Sequence, residues 1–261
     1  MPFLSGKLKD TRDLDLITEE CVARYSHITK GHHEWISNIK ESAFLQALEN
    51  VRSSPDIFAS IHTKFPNSNV YPVIECDEIY WAVSPSDAKG SNRVLVDCHY
   101  DAPFSWVPSG GVTFYRVLVA MNENTTITTV FPTENASTKM TTGDYHGLNC
   151  NTDWHCAKGV IPPGKYRILL KLHYLVVPKT AENSGWPEFV RWINTLWKFF
   201  SRETLRMSAD PTNIVEWFVA FVANAARILF NNYIVVIILL LSVVGYYGST
   251  QLFVTNRRRR I

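Results

Sequence analysis

The sequence predicts an α+β chain in which a helical N-terminal part leads into a β-rich middle, with an uncharged apolar run close to the C-terminus. Three observations support this. Apolar residues recur at helical spacing up to about residue 61. After Pro66 the texture changes to short runs of Val, Ile, Tyr and Thr broken by Gly, Pro, Asn and Ser. No helical pattern separates those runs. Strands that follow helices without interleaving favour an antiparallel barrel or sandwich over a doubly wound sheet.

The opening stretch MPFLSGKLKDTRDLDLITEE carries charge throughout and has no apolar run, so it reads as neither a secretory signal nor a transit peptide. Helical periodicity in LDLITEECVARYSHI and again in HEWISNIKESAFLQALENV, broken at Lys30 and Gly31, predicts a helical support over residues 1–66. The strands expected over residues 67–180 are VYPVIECDEIYWAV, RVLVDCHY, TFYRVLVAMN, TTITTVF, DYHGLN, WHCAKGVI and YRILLKLHYLVV.

Residues 181–231 read as amphipathic helices suited to a membrane interface. In WPEFVRWINTLWKFF, Phe189, Ile193, Leu196, Trp197 and Phe200 fall at helical spacing, with Arg191, Asn194, Lys198 and Ser201 on other faces. Packing of these segments on the soluble domain is the competing reading. Asp210 and Pro211 open a second, largely apolar segment that runs to Phe230. From Tyr233 to Val254 no residue is charged, and a helix of that length spans about 30 Å, the thickness of a bilayer core. A single transmembrane helix is therefore predicted within residues 232–256, followed by a basic tail at 257–261. Arg257–Arg260 favour a cytoplasmic C-terminus. The uncharacteristic leader and the late anchor favour leaving the bulk of the chain in a reducing compartment, and that orientation is preferred.

A formal charge of +2 gives no reason to expect a nucleic-acid partner. The five cysteines, Cys21, Cys76, Cys98, Cys150 and Cys156, are odd in number and lack a C-x-x-C pair, against a disulfide framework or a structural zinc site. The sequons at Asn124 and Asn135 are weak evidence for glycosylation without a leader.

One constellation carries chemistry. In VDCHYDAPF, His99 and Asp101 stand two apart in an expected strand, so both side chains point to one face. His155 follows 56 residues later at the start of another strand. Two imidazoles and a carboxylate on neighbouring strands can take one face of an octahedral iron(II). Downstream, in PPGKYRILLKLHYLVVP, Lys165, Arg167, Leu169 and Lys171 share one parity, which puts cations on a face that would line a barrel. A buried cation needs a countercharge, and the distal carboxylate of a bound 2-oxo acid would supply one.

The run HYDAP, then YRVLVAMNEN, TTVFP, MTTGDYHGLN, WH and GKYRILLKLHY, over about residues 75–178, resembles the double-stranded β-helix (jelly-roll) core of the 2-oxoglutarate- and Fe(II)-dependent dioxygenases, particularly their prolyl hydroxylase branch. The resemblance implies that His99, Asp101 and His155 bind Fe(II). It implies Lys165 as the 2-oxoglutarate partner on the prolyl hydroxylase pattern, or Arg167 on that of the aspartyl/asparaginyl hydroxylases, and Arg167 is preferred. Thr113 and Tyr115 are further candidates for holding the oxo acid, with packing the competing role. The implied activity is oxidative decarboxylation of 2-oxoglutarate coupled to C–H hydroxylation of a protein side chain or small molecule. Trp154 and Cys156 beside the second histidine, and the C-terminal tail, depart from the family pattern.

Other residues read more plainly. Asp144 and His146 are taken as strand polar residues, His27, His32 and His33 as solvated or capping groups at a helix break, and His173 as an outer-layer histidine. Two rival functions are a non-catalytic β-helix subunit of a membrane complex or viral particle, and a membrane-tethered, ligand-binding β-sandwich. The bilayer itself is the expected partner.

Overall fold

Strand geometry, which sends alternate side chains to opposite faces, organises the middle of the chain, and helical spacing organises much of its start. The computed structural model describes residues 3–28, 32–83, 94–122, 124–162, 164–209 and seven positions between 214 and 225. It divides into two units, residues 1–199 and 200–261. The expected transmembrane segment Tyr233–Val254 lies outside the described residues. Among the described residues no helix is long and apolar enough to cross a membrane.

Eleven strands and four helices make up the described elements: β1 (Leu4–Lys7), α1 (Arg12–Tyr25), β2 (His32–Trp35), α2 (Ser42–Arg52), α3 (Pro55–Lys64), β3 (Ser68–Pro72), β4 (Glu78–Val83), β5 (Val94–His99), β6 (Thr113–Ala120), β7 (Asn124–Phe131), β8 (Ala136–Met140), β9 (Asp144–Asn149), β10 (His155–Gly159), β11 (Tyr166–Pro178) and α4 (Trp186–Ala209). They form two antiparallel sheets. The larger runs β1-β9-β6-β11-β4-β2, with β3 paired to the far half of β11, and the smaller runs β5-β10-β7-β8. Numbered within the eight strands β4 to β11, the sheets read 6-3-8-1 and 2-7-4-5. This alternation of successive strands between two sheets makes a double-stranded β-helix, or jelly roll.

The long central strand β11 shows how one sequence serves two layers. Ile168, Leu170, Leu172, Tyr174 and Val176 point outward into a core shared with α1, α2 and α3, where Leu14, Ile17, Cys21, Phe44, Leu48, Val51, Ile57 and Ile61 are buried. Leu169, Leu175 and Val177 point between the sheets, with Phe114, Leu118, Phe131 and Leu148. Each such side chain contributes about 1.5–3 kcal/mol when fully buried. Gly147 of β9 makes room for Tyr115, since a Cβ there would lie 2.5 Å from the Tyr115 ring.

The helical layer is clamped to the sheet by polar contacts. Arg52 of α2 donates to Asp77 at 2.7 Å, and the Tyr174 hydroxyl donates to the Arg52 carbonyl at 2.8 Å. Ser54 caps α3 by accepting from the Asp56 amide, with Pro55 in the first turn.

Several expectations change. The stretch beginning HEWISNIK is not one helix: His32–Trp35 is an edge strand paired to β4, because hydrogen bonding to the exposed sheet edge outweighs the helical spacing. The N-terminal part also contributes β1, on the opposite edge. Strand β8 was not expected, since ASTKM is polar and offers little apolar alternation. His173 is not in the outer layer. It stands six residues from Arg167, an even number, so it faces inward; it is fully buried and stacks at 5.6 Å on Phe114. His146 is likewise fully buried, edge-on to Phe3 and Phe131.

Candidate metal centre

His99 ends β5 and His155 begins β10, and the two are direct cross-strand partners. Their rings stand 4.6 Å apart between centroids. A register irregularity follows His155, the kind of bulge that re-aims a side chain at a sheet end. Asp101 lies just past β5 and turns back, so that Oδ1 is 3.6 Å from His99 Nε2 and 4.0 Å from His155 Nε2. The three ligand atoms lie within 4.8 Å of one another. One point therefore lies no more than about 2.8 Å from each, against about 2.0–2.2 Å for His and carboxylate bonds to a first-row metal, so small side-chain movements would complete coordination.

The surrounding structure fixes these atoms. His155 Nδ1 donates to the Asp153 carbonyl at 2.9 Å, which leaves the single lone pair of Nε2 facing the centre. The Asp153 carboxylate in turn accepts from the Asn149 amide at 2.8 Å. The Asp101 loop is held by the Ala102 amide on the Cys150 carbonyl (3.0 Å), by Asn151 on the Ala102 carbonyl (3.1 Å) and by the Trp197 indole on the Asp101 carbonyl (3.1 Å). Asn194 accepts from Asn151 at 2.9 Å.

The face of α4 that meets the barrel is therefore Val190, Asn194, Trp197 and Lys198, all buried. Trp192, Leu196 and Phe199 remain exposed. Asn194 and Lys198, expected on other faces, are buried because each serves the polar groups beneath. Lys198 acts electrostatically on both Asp101 and Glu78.

Sequence reasoning missed Arg116. It shares parity with Phe114, Leu118 and Ala120, and its guanidinium reaches the centre: Nη1 donates to Asp101 Oδ1 at 2.5 Å and Nη2 stands 3.1 Å from His155 Nε2. A lone arginine in the apolar run TFYRVLVA was the available signal. Burial alone would raise the Asp101 pKa, but Arg116, with Lys198 and His155, holds it well below the usual carboxylate range. Burial, aided by Arg116 and His99 against the pull of Asp101, lowers His155 to about 3, so its imidazole is neutral at physiological pH.

The expected co-substrate residues separate. Arg167 faces between the sheets and is 6% exposed; it has no hydrogen-bond or ion-pair partner among the described residues. Burial lowers its pKa to about 10, with the nearby Tyr80 phenol opposing the shift, and it remains a cation. Lys165 lies exposed before β11 begins. Tyr115 points to the opposite side of β6, against Phe65, because it differs from Arg116 by one residue in a period-two strand. Thr113 shares that parity. Lys171 faces inward and pairs with Glu78 at 2.5 Å. His32 and His33 lie on β2 beside Glu34 and Glu78.

The donor set fits a first-row metal: two imidazoles, one carboxylate, and an Asp101 Oδ2 that is buried without a hydrogen-bond partner among the described residues.

No protein-family model and no curated protein sequence matches the chain. Solved structures similar to it include the non-heme α-ketoglutarate-dependent epimerase SnoN from nogalamycin biosynthesis, at 11% identity and a TM-score of 0.47, covering 67% of this chain and 78% of that one. A Trichoplax adhaerens prolyl hydroxylase, solved with a hypoxia-inducible-factor degradation-domain peptide, has 12% identity and a TM-score of 0.45, over 69% and 84% of the two chains. A Pseudomonas putida prolyl-4-hydroxylase has 13% identity and a TM-score of 0.42, over 68% and 93%. Likeness at this level carries no information on substrate.

Proposed function

We propose that the chain is an iron(II)- and 2-oxoglutarate-dependent hydroxylase acting on a protein side chain or small molecule, tethered to a membrane through residues 233–254. The observation that carries this reading is the convergence of His99, Asp101 and His155, with the His155 tautomer set to offer Nε2.

In this reading His99 Nε2, Asp101 and His155 Nε2 hold the iron, and their residual freedom is removed by Asp153, Asn151 and Trp197. Arg167 binds the distal carboxylate of 2-oxoglutarate, a countercharge its buried guanidinium lacks among the described residues. Leu118, Leu169 and Phe131 lie in the apolar core between the sheets and keep water out of it. Iron bound there would supply the reaction of 2-oxoglutarate with O2 to succinate and CO2, coupled to hydroxylation of a C–H bond. The protein contributes orientation, charge and dryness.

The test is anaerobic iron(II) titration of the full-length protein, followed on aeration by succinate release from 2-oxoglutarate, with His155→Ala beside the parent. Turnover in the parent that is absent from the variant is expected, and equal turnover in both overturns the reading. One observation favours a second reading, a β-helix that has kept its shape without metal: Arg116 already pairs with Asp101 Oδ1 and His155 Nε2. Absence of metal binding by the parent and by every Arg116 variant would select it.

A further inference from the structure

We propose that Arg116 is a resident cation that competes with the metal for its own ligands, so that loading the centre requires the guanidinium to release His155. This inference rests on the proposed metal site and adds a positioning residue that controls its occupancy.

The argument is one of lone pairs. His155 uses Nδ1 to donate to the Asp153 carbonyl, so Nε2 has one in-plane lone pair. That lone pair now faces Arg116 Nη2 at 3.1 Å. It cannot accept that hydrogen bond and bind a metal at the same time. Asp101 differs, because a carboxylate has several acceptor sites and its Oδ2 has no hydrogen-bond partner among the described residues. Arg116 can therefore keep Asp101 while surrendering His155. It then stands beside the bound metal as a second positive charge in a buried setting, which weakens metal binding further.

Toward Asp101 the same guanidinium has the opposite value. Asp101 is only 4% exposed in its side chain, and Arg116 Nη1 is its 2.5 Å partner. Without that charge, the buried carboxylate would lose its arginine partner. Arg116 thus preserves the ligand geometry and resists its use by a metal. A purely structural arginine and a competing arginine predict effects of opposite sign on metal affinity.

The experiment uses the full-length protein in detergent and cobalt(II) as the probe, followed by its visible absorption and by competition with a chelator. The parent is compared with Arg116→Met, Arg116→Lys and His155→Ala. Arg116→Met is expected to bind cobalt(II) at least tenfold more tightly than the parent. Its metal-free form should melt at a lower temperature, and cobalt(II) should raise that temperature more than it does for the parent. Arg116→Lys keeps the charge but cannot span both ligands, so it should fall between the two; its sign decides the matter should the methionine variant fail to fold. Equal or weaker binding by both Arg116 variants, with parent binding that His155→Ala abolishes, overturns this inference and leaves the metal site standing. Cobalt(II) binding that is absent throughout, or unchanged in His155→Ala, overturns the site and this inference together.

Discussion

Replacing Arg167 by methionine should stabilise the protein and cripple it for 2-oxoglutarate in the same step. Arg167 is 6% exposed, and the pKa of its guanidinium falls from 12.5 to about 10 through burial. That shift corresponds to about 3 kcal/mol set against the charged form in the folded state. At neutral pH the arginine is charged whether the chain is folded or not, so the fold carries the whole cost. Methionine keeps much of the side-chain volume without the charge. A gain of about 1–3 kcal/mol is expected, allowing for relaxation around the buried charge, and about 2–4 °C per kcal/mol in the melting temperature of a domain this size. Binding should move the other way, since removing one partner of a buried charge pair costs about 2–5 kcal/mol. That is about 30-fold to over 1000-fold in 2-oxoglutarate affinity. Thermal melts without ligand give the first number, and titration of 2-oxoglutarate into cobalt-loaded protein gives the second. A lower melting temperature, or unchanged 2-oxoglutarate affinity, would refute the claim that this cation awaits an external partner.

Three further outcomes follow from the packing. His146 is fully buried with neither ring nitrogen hydrogen-bonded among the described residues, and burial lowers its pKa to about 3. Its contribution to stability is present above the unfolded-state value of about 6.5 and is lost as pH falls toward about 3. His146→Leu should remove that part of the acid loss, seen as a flatter pH profile of denaturant midpoints below pH 6. Trp197→Phe removes the indole hydrogen bond to the Asp101 carbonyl while keeping the ring against Phe104, and should weaken cobalt(II) binding about tenfold, with little change in melting temperature. Gly147→Ala would drive a Cβ into the Tyr115 ring and cost about 1–3 kcal/mol in denaturant unfolding, partly recovered by Tyr115→Leu.

The sequence was most legible where one rule acted alone. Short β-branched and aromatic runs bounded by turn residues marked most of the barrel strands, and His99, Asp101 and His155 do converge, although Asp101 reaches the centre from the bend after β5 and not from a shared strand. It was less legible where a polar residue sits on a buried face. Arg116, Asn194 and Lys198 are inward because charges and amides below them need partners, and that need becomes visible only once the elements are assembled. Tyr115 and His173 turn on parity within strands whose two faces are both buried, so neither face of β6 or β11 looks like solvent in the sequence. Strands β1, β2 and β8 sit at sheet edges, where few apolar residues are required and the pattern is correspondingly faint.

The position of β11 in the chain sets the order in which the molecule can be made. It pairs with β3, β4 and β6, yet it is the last of the described strands to leave the ribosome. At about 5–20 residues per second the earlier strands wait several seconds or longer for the segment that joins them. During that interval the long edges of β4 and β6 are exposed to other nascent chains. The protein therefore depends on late, long-range closure. Slow folding, and a requirement for holding factors during synthesis, are the expected costs of putting the spine of the barrel at its end.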